Sequence, residues 1–245
     1  MNKTIVSAEN VSKIYDMGAE KVHALDNVSL KIERGQYVSI MGPSGSGKST
    51  LFNMIGGLDM PTTGTVSVGS CRLSELNSRQ LAWFRCHRIG FIFQTFNLIM
   101  TMTALENVSI ARIFAGATPA EARAKAAEIL EKVGLGHRLN HIPSEVSGGQ
   151  QQRIAIARAL VNEPAIVLAD EPTGNLDLHT GEEIITLLND MKESLKITVI
   201  TATHDMKMIS ASDSVVWIRD GRIERVAGKD ELDITVGNID GSTIA

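Results

Sequence analysis

Cysteine is nearly absent from this chain. Cys71 and Cys86 are the two thiols in 245 residues. They are too few and too far apart for a disulfide framework or a Cys-x-x-Cys metal site, and both suit a reducing compartment as plain thiols. Long hydrophobic runs are missing too: no stretch approaches the roughly 18 continuous apolar residues of a membrane span. The N-terminal MNKTIVSAEN meets Glu9 before an apolar leader segment can form. Nor is there an excess of basic charge. The formal net charge is -4, which speaks against a nucleic-acid ligand. These absences predict a soluble cytoplasmic protein that reaches a membrane only through a partner. The hydrophobic share of 43% is ample for a full globular core at this length.

The first forty residues carry TIVSAENVSKIY and VHALDNVSLKI, short alternating runs that read as antiparallel strands with one dry face. The pattern then changes. YVSIM (37–41), IGFIF (89–93), AIVLA (165–169) and ITVITAT (197–203) are continuously apolar or β-branched, as expected of parallel strands covered on both faces. An α/β fold follows. Each run ends in chemically useful residues: Ser44 onward, Gln94, Asp170 with Glu171, and His204 with Asp205. Ligands of open parallel sheets sit at such carboxyl ends.

Strand signals vanish between residues 95 and 164, which predicts an inserted α-helical subdomain. Within it, Thr118 caps a helix with Pro119 at its first position, Glu121 closes a capping box and Gly134 stops it. A second helix is expected from Gln150 to about Asn162, before Pro164. SVVWIRDGRIERVA reads as a hairpin turning on Asp220-Gly221. From residue 228 onward the chain is polar and weakly periodic, a solvated tail in which KDEL (229–232) is internal and so not a retention signal.

The residues 42–50, Gly42, Pro43, Ser44, Gly45, Ser46, Gly47, Lys48, Ser49 and Thr50, have the spacing of a phosphate-binding loop between a buried strand and a helix. Glycines let backbone N–H groups approach a polyphosphate, the following helix presents its positive end, and Lys48 adds a full charge. Ser49 then offers a hydroxyl to Mg²⁺. At the end of IVLADE, Asp170 would hold the metal shell and Glu171 would orient or deprotonate a water. Ser147, Gly148 and Gly149 ahead of Gln150 make a second helix start suited to an anion. Taken alone that is also a plain cap with spare glycines, yet one nucleotide does not need two such sites in one subunit.

In this order, the phosphate loop, SGGQ, VLADEP and His204 resemble the ATP-binding cassette (ABC) ATPases, over about residues 4–226. The resemblance implies a P-loop NTPase fold of the ABC type, with an antiparallel β subdomain and a helical subdomain at about 95–164. The nucleotide-binding domain would be 1–227 and the tail 228–245. It implies ATP and Mg²⁺ as ligands, and a head-to-tail homodimer in which each SGGQ segment closes over ATP held by the other copy. That family's signature usually opens with Leu, where this chain has Val146. By the same resemblance Tyr15 stacks on adenine, unless it is a strand-edge tyrosine. Gln94 touches Mg²⁺ or water and senses the transport partner. His204 contacts the γ-phosphate, against the alternative of an ordinary strand-end histidine, and Asp177 in GNLD lies where the dimer meets. The following helix is expected to open on a Thr180/Glu183 capping box and to bury Ile184, Leu188, Met191 and Leu195.

FIFQTFNLIMTMTALENV with LADEPTGNLD is similar to the macrolide-exporter and lipoprotein-release group (MacB-like and LolD-like). This implies a four-span permease with a large extracytoplasmic domain, of MacB/FtsX-like kind, with the ATPase peripheral on the cytoplasmic membrane face. Ile99, Met100 and Thr101 stand where relatives often have Ile-Pro-Thr, near the expected docking loop. A soluble ABC-type ATPase acting on nucleic acid or ribosomes is the alternative. It is opposed by the single phosphate loop, the lack of sustained heptads and the acidic balance.

Overall fold

The computed structural model describes residues 3–18 and 20–231, with the backbone alone of 234–235, 238–239 and 242–243. Leu232 of KDEL and much of the tail lie outside the described residues. In chain order the strands are β1 Thr4–Asp16, β2 Lys21–Glu33, β3 Tyr37–Met41, β4 Thr63–Val68 and β5 Cys71–Arg72. They continue as β6 Ile89–Ile92, β7 Ile166–Asp170, β8 Thr198–Ala202, β9 Ser214–Arg219 and β10 Arg222–Gly228. The helices are α1 Lys48–Ile55, α2 Ser78–Arg88, α3 Ala104–Phe114, α4 Pro119–Lys132, α5 Gly148–Leu160, α6 Leu178–Leu195 and α7 Met206–Ser210. Three two-residue strands follow, Ile234–Thr235, Asn238–Ile239 and Ser242–Thr243. The chain divides into two compact units, Met1–Ser78 with Thr198–Ala245, and Arg79–Ile197.

The first unit holds an antiparallel sheet in the order β2-β1-β4-β5. Its alternation is the one the sequence predicts: Val28, Leu30 and Ile32 are buried while Ser29 and Lys31 face out. Left-handed Asn10 and Asn27 sit where the β1–β2 register shifts; asparagine tolerates that conformation better than most residues. The same unit carries β10-β9-β3-β8, in which β3 runs parallel to β8 and β9. All five residues of β3 are buried, as a parallel strand covered on both faces requires. Of its two hydroxyls, that of Ser39 is satisfied by Thr201 at 2.9 Å and Ser212 at 2.6 Å. The β9–β10 hairpin turns on Asp220 and Gly221 at φ 48° and 74°, the two left-handed residues of a type I′ turn.

In the second unit β6 and β7 pair in parallel, and α5 packs on β6. At Gly90 a Cβ would come within 2.5 Å of the Ala159 carbonyl, so that glycine sets the closeness of helix and strand. Helices α3, α4 and α5 each open on a complete capping box, Thr103/Glu106, Thr118/Glu121 and Ser147/Gln150. Gly134 follows α4 at φ 80°. Asn107, fully buried on α3, donates to the carbonyls of Ile99, Met102 and Thr103 and accepts from the Ile99 amide. It thereby shapes the loop of residues 99–103.

One capping expectation is corrected. Helix α6 opens on Asp177, whose carboxylate accepts from the Thr180 amide at 3.0 Å, and not on a Thr180/Glu183 box. Glu183 turns instead to Arg153 of α5 at 2.9 Å. Ile184 and Leu188 are buried as expected, joined by Gly181, Ile185 and Leu187, whereas Met191 and Leu195 are only partly covered.

Candidate functional site: a phosphate loop and a capped signature helix

In the first unit the chain leaves β3 into the glycine-rich loop and enters α1. Gly47, the N-cap of α1, has φ 104° and no side-chain cap, which leaves first-turn amides for a ligand. Gly42 is needed sterically: a Cβ there would sit 2.1 Å from the Ile218 carbonyl oxygen. Lys48 Nζ donates to the carbonyls of Gly42 at 2.5 Å and Pro43 at 2.9 Å, so the loop folds around the ammonium. The Ser46 hydroxyl is buried with no partner, and the Ser46 carbonyl accepts from the Gly221 amide of the hairpin turn. This loop is preformed, braced from behind, and rich in donors that an anion satisfies.

Strand β8 runs parallel to β3 with Ile40 opposite Ala202, the Thr203 amide donates to the Ile40 carbonyl at 3.1 Å, and the exposed His204 follows just past that strand end. Asp205 caps α7 by accepting from the Lys207 amide at 2.9 Å. Tyr15, near the end of β1, is half-buried; its hydroxyl donates to Asp59 at 2.9 Å and also meets the Thr50 hydroxyl. Burial, and then the Asp59 carboxylate, push its phenol above the ordinary range.

In the second unit Ile92 pairs with Ala169, and Gln94 and Glu171 each come two residues after that pair, past the ends of β6 and β7. Glu171 has φ 42°, a strained value for a non-glycine residue, and its carbonyl accepts from the Gly174 amide at 3.0 Å. Gln94 is held from that same turn. Asn175 donates to its carbonyl at 2.9 Å, and a Cβ on Gly174 would lie 2.7 Å from its Nε2. Asp170 ends β7 just before Glu171.

Helix α5 starts at the Ser147 cap: Ser147 Oγ accepts from the Gln150 amide at 3.3 Å, and Gln150 Oε1 accepts from the Ser147 amide at 3.1 Å. Gly149 admits α6 closely, since a Cβ there would meet Thr180 Cγ2 at 2.3 Å. Further along, Gln152 donates to the Pro172 carbonyl at 2.8 Å, beside the carboxylate turn. Arg158 donates to the carbonyls of Phe96 and Asn97, just past Gln94. Hydrogen bonds from the Thr180 hydroxyl and amide hold the Asp177 carboxyl below its ordinary range.

The first unit carries Tyr15, residues 42–50 and His204, and the second carries Gln94, Ser147 to Gln150, Asp170, Glu171 and Asp177. Sequence reasoning missed Asp59, Lys13, Asn107 and Arg158. The long separation of Lys13 from Asp59 leaves no local signal, whereas the Thr103/Glu106 box ahead of Asn107 was legible. The donors also suit the metal. Mg²⁺ prefers oxygen ligands, keeps several waters and shares substrate phosphates rather than a protein cage. Ser49 in the first unit offers a hydroxyl oxygen, and Gln94 and Asp170 in the second offer an amide and a carboxylate oxygen. Among the described residues no cluster of three or more His, Cys, Asp or Glu forms a cage of another kind.

A fold with parallel strands ending in a glycine loop, a carboxylate pair and a glutamine is that of a nucleoside triphosphatase. Residues 25–174 match the family described as ABC transporter. The chain is 46% identical over 223 residues to the macrolide export ATP-binding/permease protein MacB of Hyphomonas neptunium, covering 91% of this chain and 34% of that larger protein. It is 45% identical over 225 residues to the lipoprotein-releasing system ATP-binding protein LolD of Saccharophagus degradans, covering 92% and 99%. The dimeric post-hydrolysis structure of the ATP-binding cassette MJ0796 with ADP and Pi superposes with a TM-score of 0.84 at 46% identity, covering 92% and 99%. The chain belongs to the ABC transporter family, as an ATP-binding and ATP-hydrolysing cassette of the MacB/LolD-like group.

Proposed function

We propose that this cassette powers a membrane complex that exports a solute, extracts lipoprotein or peptide, or transmits force, through a four-span permease of MacB/FtsX-like type. It sits on the cytoplasmic membrane face through that permease; among the described residues no helix is long and apolar enough to cross a membrane. The observation that carries the reading is the pair of anion-suited helix starts in one chain, one at Gly47 without a cap and one at Ser147. A single nucleotide uses one of them. Two copies arranged head to tail use both, the Ser147 end of one closing on ATP held by the other's phosphate loop. The names of the relatives favour this over an ATPase acting on nucleic acid or ribosomes.

In this mechanism Tyr15 stacks on adenine. Backbone amides of residues 44–49 surround the phosphates, and Lys48 exchanges the Gly42 and Pro43 carbonyls for phosphate oxygens. Ser49, Asp170 and Gln94 would hold Mg²⁺, which neutralises phosphate charge when bound. Glu171 orients or deprotonates the attacking water, His204 contacts the γ-phosphate, and Asp177 borders the partner copy. Gln94, in the loop that leads to exposed Ile99 and Met100, reports the permease's state.

Glu171→Gln tests the chemistry: it should retain ATP and lose roughly 10²- to 10⁴-fold in hydrolysis, the usual worth of a positioned acid or base. Near-normal turnover would remove Glu171 from the mechanism. The same variant, tagged and held with MgATP, should bring a four-span permease from solubilised membranes. Recovery of ribosomes or nucleic acid instead would refute the transport reading.

A further inference from the structure

Tyr15 does not stand alone. Its hydroxyl donates to Asp59 Oδ2 at 2.9 Å. The other oxygen of that carboxylate accepts from Lys13 Nζ at 2.7 Å and from the Met60 amide at 2.7 Å. Lys13 Nζ also donates to the Met60 carbonyl at 2.9 Å and lies 4.9 Å from the centre of the Tyr15 ring. The lysine side chain is only 13% exposed and the aspartate 32%, so both charges are partly withdrawn from water and held to each other.

The arrangement has a mechanical meaning. A phenol on a strand edge would rotate freely about its side-chain torsions. Here the hydroxyl is anchored at Asp59 and an ammonium lies over one ring face; a stacking base would take the other. Asp59 itself follows the turn that closes α1, its amide bonded to the Asn53 carbonyl at 3.3 Å, and Thr50 in the first turn of α1 meets the same phenol. The helix that begins on the phosphate loop therefore also fixes the tyrosine.

We propose that Asp59, itself held by Lys13, is a positioning residue for nucleobase recognition, fixing the Tyr15 ring at a set place relative to the phosphate loop. This rests on the reading of Tyr15 as the base-stacking residue. It predicts that Asp59 matters to the base and not to the phosphates.

The test compares equilibrium binding of MgATP and of Mg-tripolyphosphate, which lacks a base, to the full chain and its variants. Tyr15→Ala should weaken ATP by about fivefold to a hundredfold, the worth of one base–aromatic stack, and leave tripolyphosphate unchanged. Asp59→Ala should weaken ATP by about two- to tenfold, the worth of one hydrogen bond, again sparing tripolyphosphate. Tyr15→Phe, which removes only the hydroxyl, should match Asp59→Ala, and the two together should be no worse than either. Asp59→Asn, which still accepts from the phenol, should recover most of the loss. If Tyr15→Ala spares ATP, the stacking reading fails and the inference with it. If Tyr15→Ala weakens ATP while Asp59→Ala and Tyr15→Phe do not, the inference alone is overturned. Equal weakening of both ligands by Asp59→Ala makes the residue merely structural and also overturns it. Should Asp59→Ala fail to fold, Tyr15→Phe decides by the same ratio.

Discussion

Replacing Arg158 by Met probes how the signature helix α5 governs the loop after Gln94. Phe96 and Asn97 are consecutive left-handed residues, at φ 59° and 49°, and neither is glycine. Such a conformation costs about 1–2 kcal/mol per residue, and less for asparagine. Arg158 offsets that cost by donating Nη2 to the Phe96 carbonyl at 2.8 Å and Nη1 to the Asn97 carbonyl at 2.5 Å. Burial draws the guanidinium below its ordinary range, so its charge is held at some expense. Hydrogen bonds from a charged donor are worth roughly 1.5–3 kcal/mol each. Methionine keeps much of the stem and forfeits both bonds, about 3–6 kcal/mol gross. Relaxed strain and water at the exposed Asn97 return part of this, and a net loss of about 1–3 kcal/mol is expected.

That loss should appear as a lower denaturant midpoint with unchanged slope. Its second readout is kinetic: the rate of hydrolysis should fall while the KM for ATP stays near wild type, because the phosphate loop is untouched and only Gln94 is displaced. Arg158→Lys keeps the charge but cannot span both carbonyls, so it should recover stability better than rate. Adding Asn97→Gly to Arg158→Met should return stability and not the rate. Wild-type stability and rate in Arg158→Met would refute the clamp. A rise in KM with unchanged rate would place its effect on nucleotide binding instead.

Gly42→Ala should lose ATP binding and unfold several degrees lower, since its Cβ would overlap the Ile218 carbonyl at 2.1 Å and backbone cannot yield as a side chain does; normal binding in calorimetry would show the loop to be more pliant than its contacts. Acid stability should report Asp59. Burial pushes its carboxyl up, but the hydrogen bonds of Lys13 and Tyr15 outweigh this and hold it below its ordinary value. A depressed carboxyl contributes stability in full above the unfolded value of about 3.9 and loses it as pH falls through the folded value. The midpoint advantage of wild type over Asp59→Asn should therefore be steady near neutrality and shrink below about pH 4; a gap that widens on acidification would contradict the assignment.

What was legible in the sequence was what local chemistry fixes. The Thr118/Glu121 box, the Asp220-Gly221 turn and the glycine spacing of residues 42–47 each need neighbours within a few positions, and each is found where expected. The start of α6 was less determinate, because Asp177-x-x-Thr180 and Thr180-x-x-Glu183 are both plausible caps. Aspartate is the stronger cap of the two, and Glu183 is drawn away by Arg153 on another helix, a contact that no window of sequence contains. The same limit hid Lys13 with Asp59 and Arg158 with Phe96, pairs joined only by the fold. Left-handed Phe96 was unreadable for a different reason: its type argues against that conformation, and the Arg158 donor that holds its carbonyl lies far along the chain.

The two anion-suited helix starts differ in a way that orders their use. Gly47 leaves the first turn of α1 without a side-chain cap, and the buried Ser46 hydroxyl beside it has no partner. That end is incomplete until phosphate arrives. Helix α5 is already complete, because Ser147 and Gln150 satisfy each other's amides. A ligand at Ser147 must displace or share the cap, so this end is the weaker binder and gains an occupant only when another surface brings the phosphate to it. ATP should therefore fill the phosphate loop of a single copy first, and engage Ser147 only on pairing. In the hydrolysis-deficient Glu171→Gln background, MgATP should convert monomer to dimer in sedimentation experiments. Adding Ser147→Ala should hold the protein monomeric, while its affinity for ATP stays within about twofold, a difference of under half a kcal/mol. Lys48→Ala, in contrast, should abolish binding and pairing together. A Ser147→Ala protein that loses ATP as a monomer would mean that both helix starts act on one nucleotide within one chain, and the head-to-tail reading would fall.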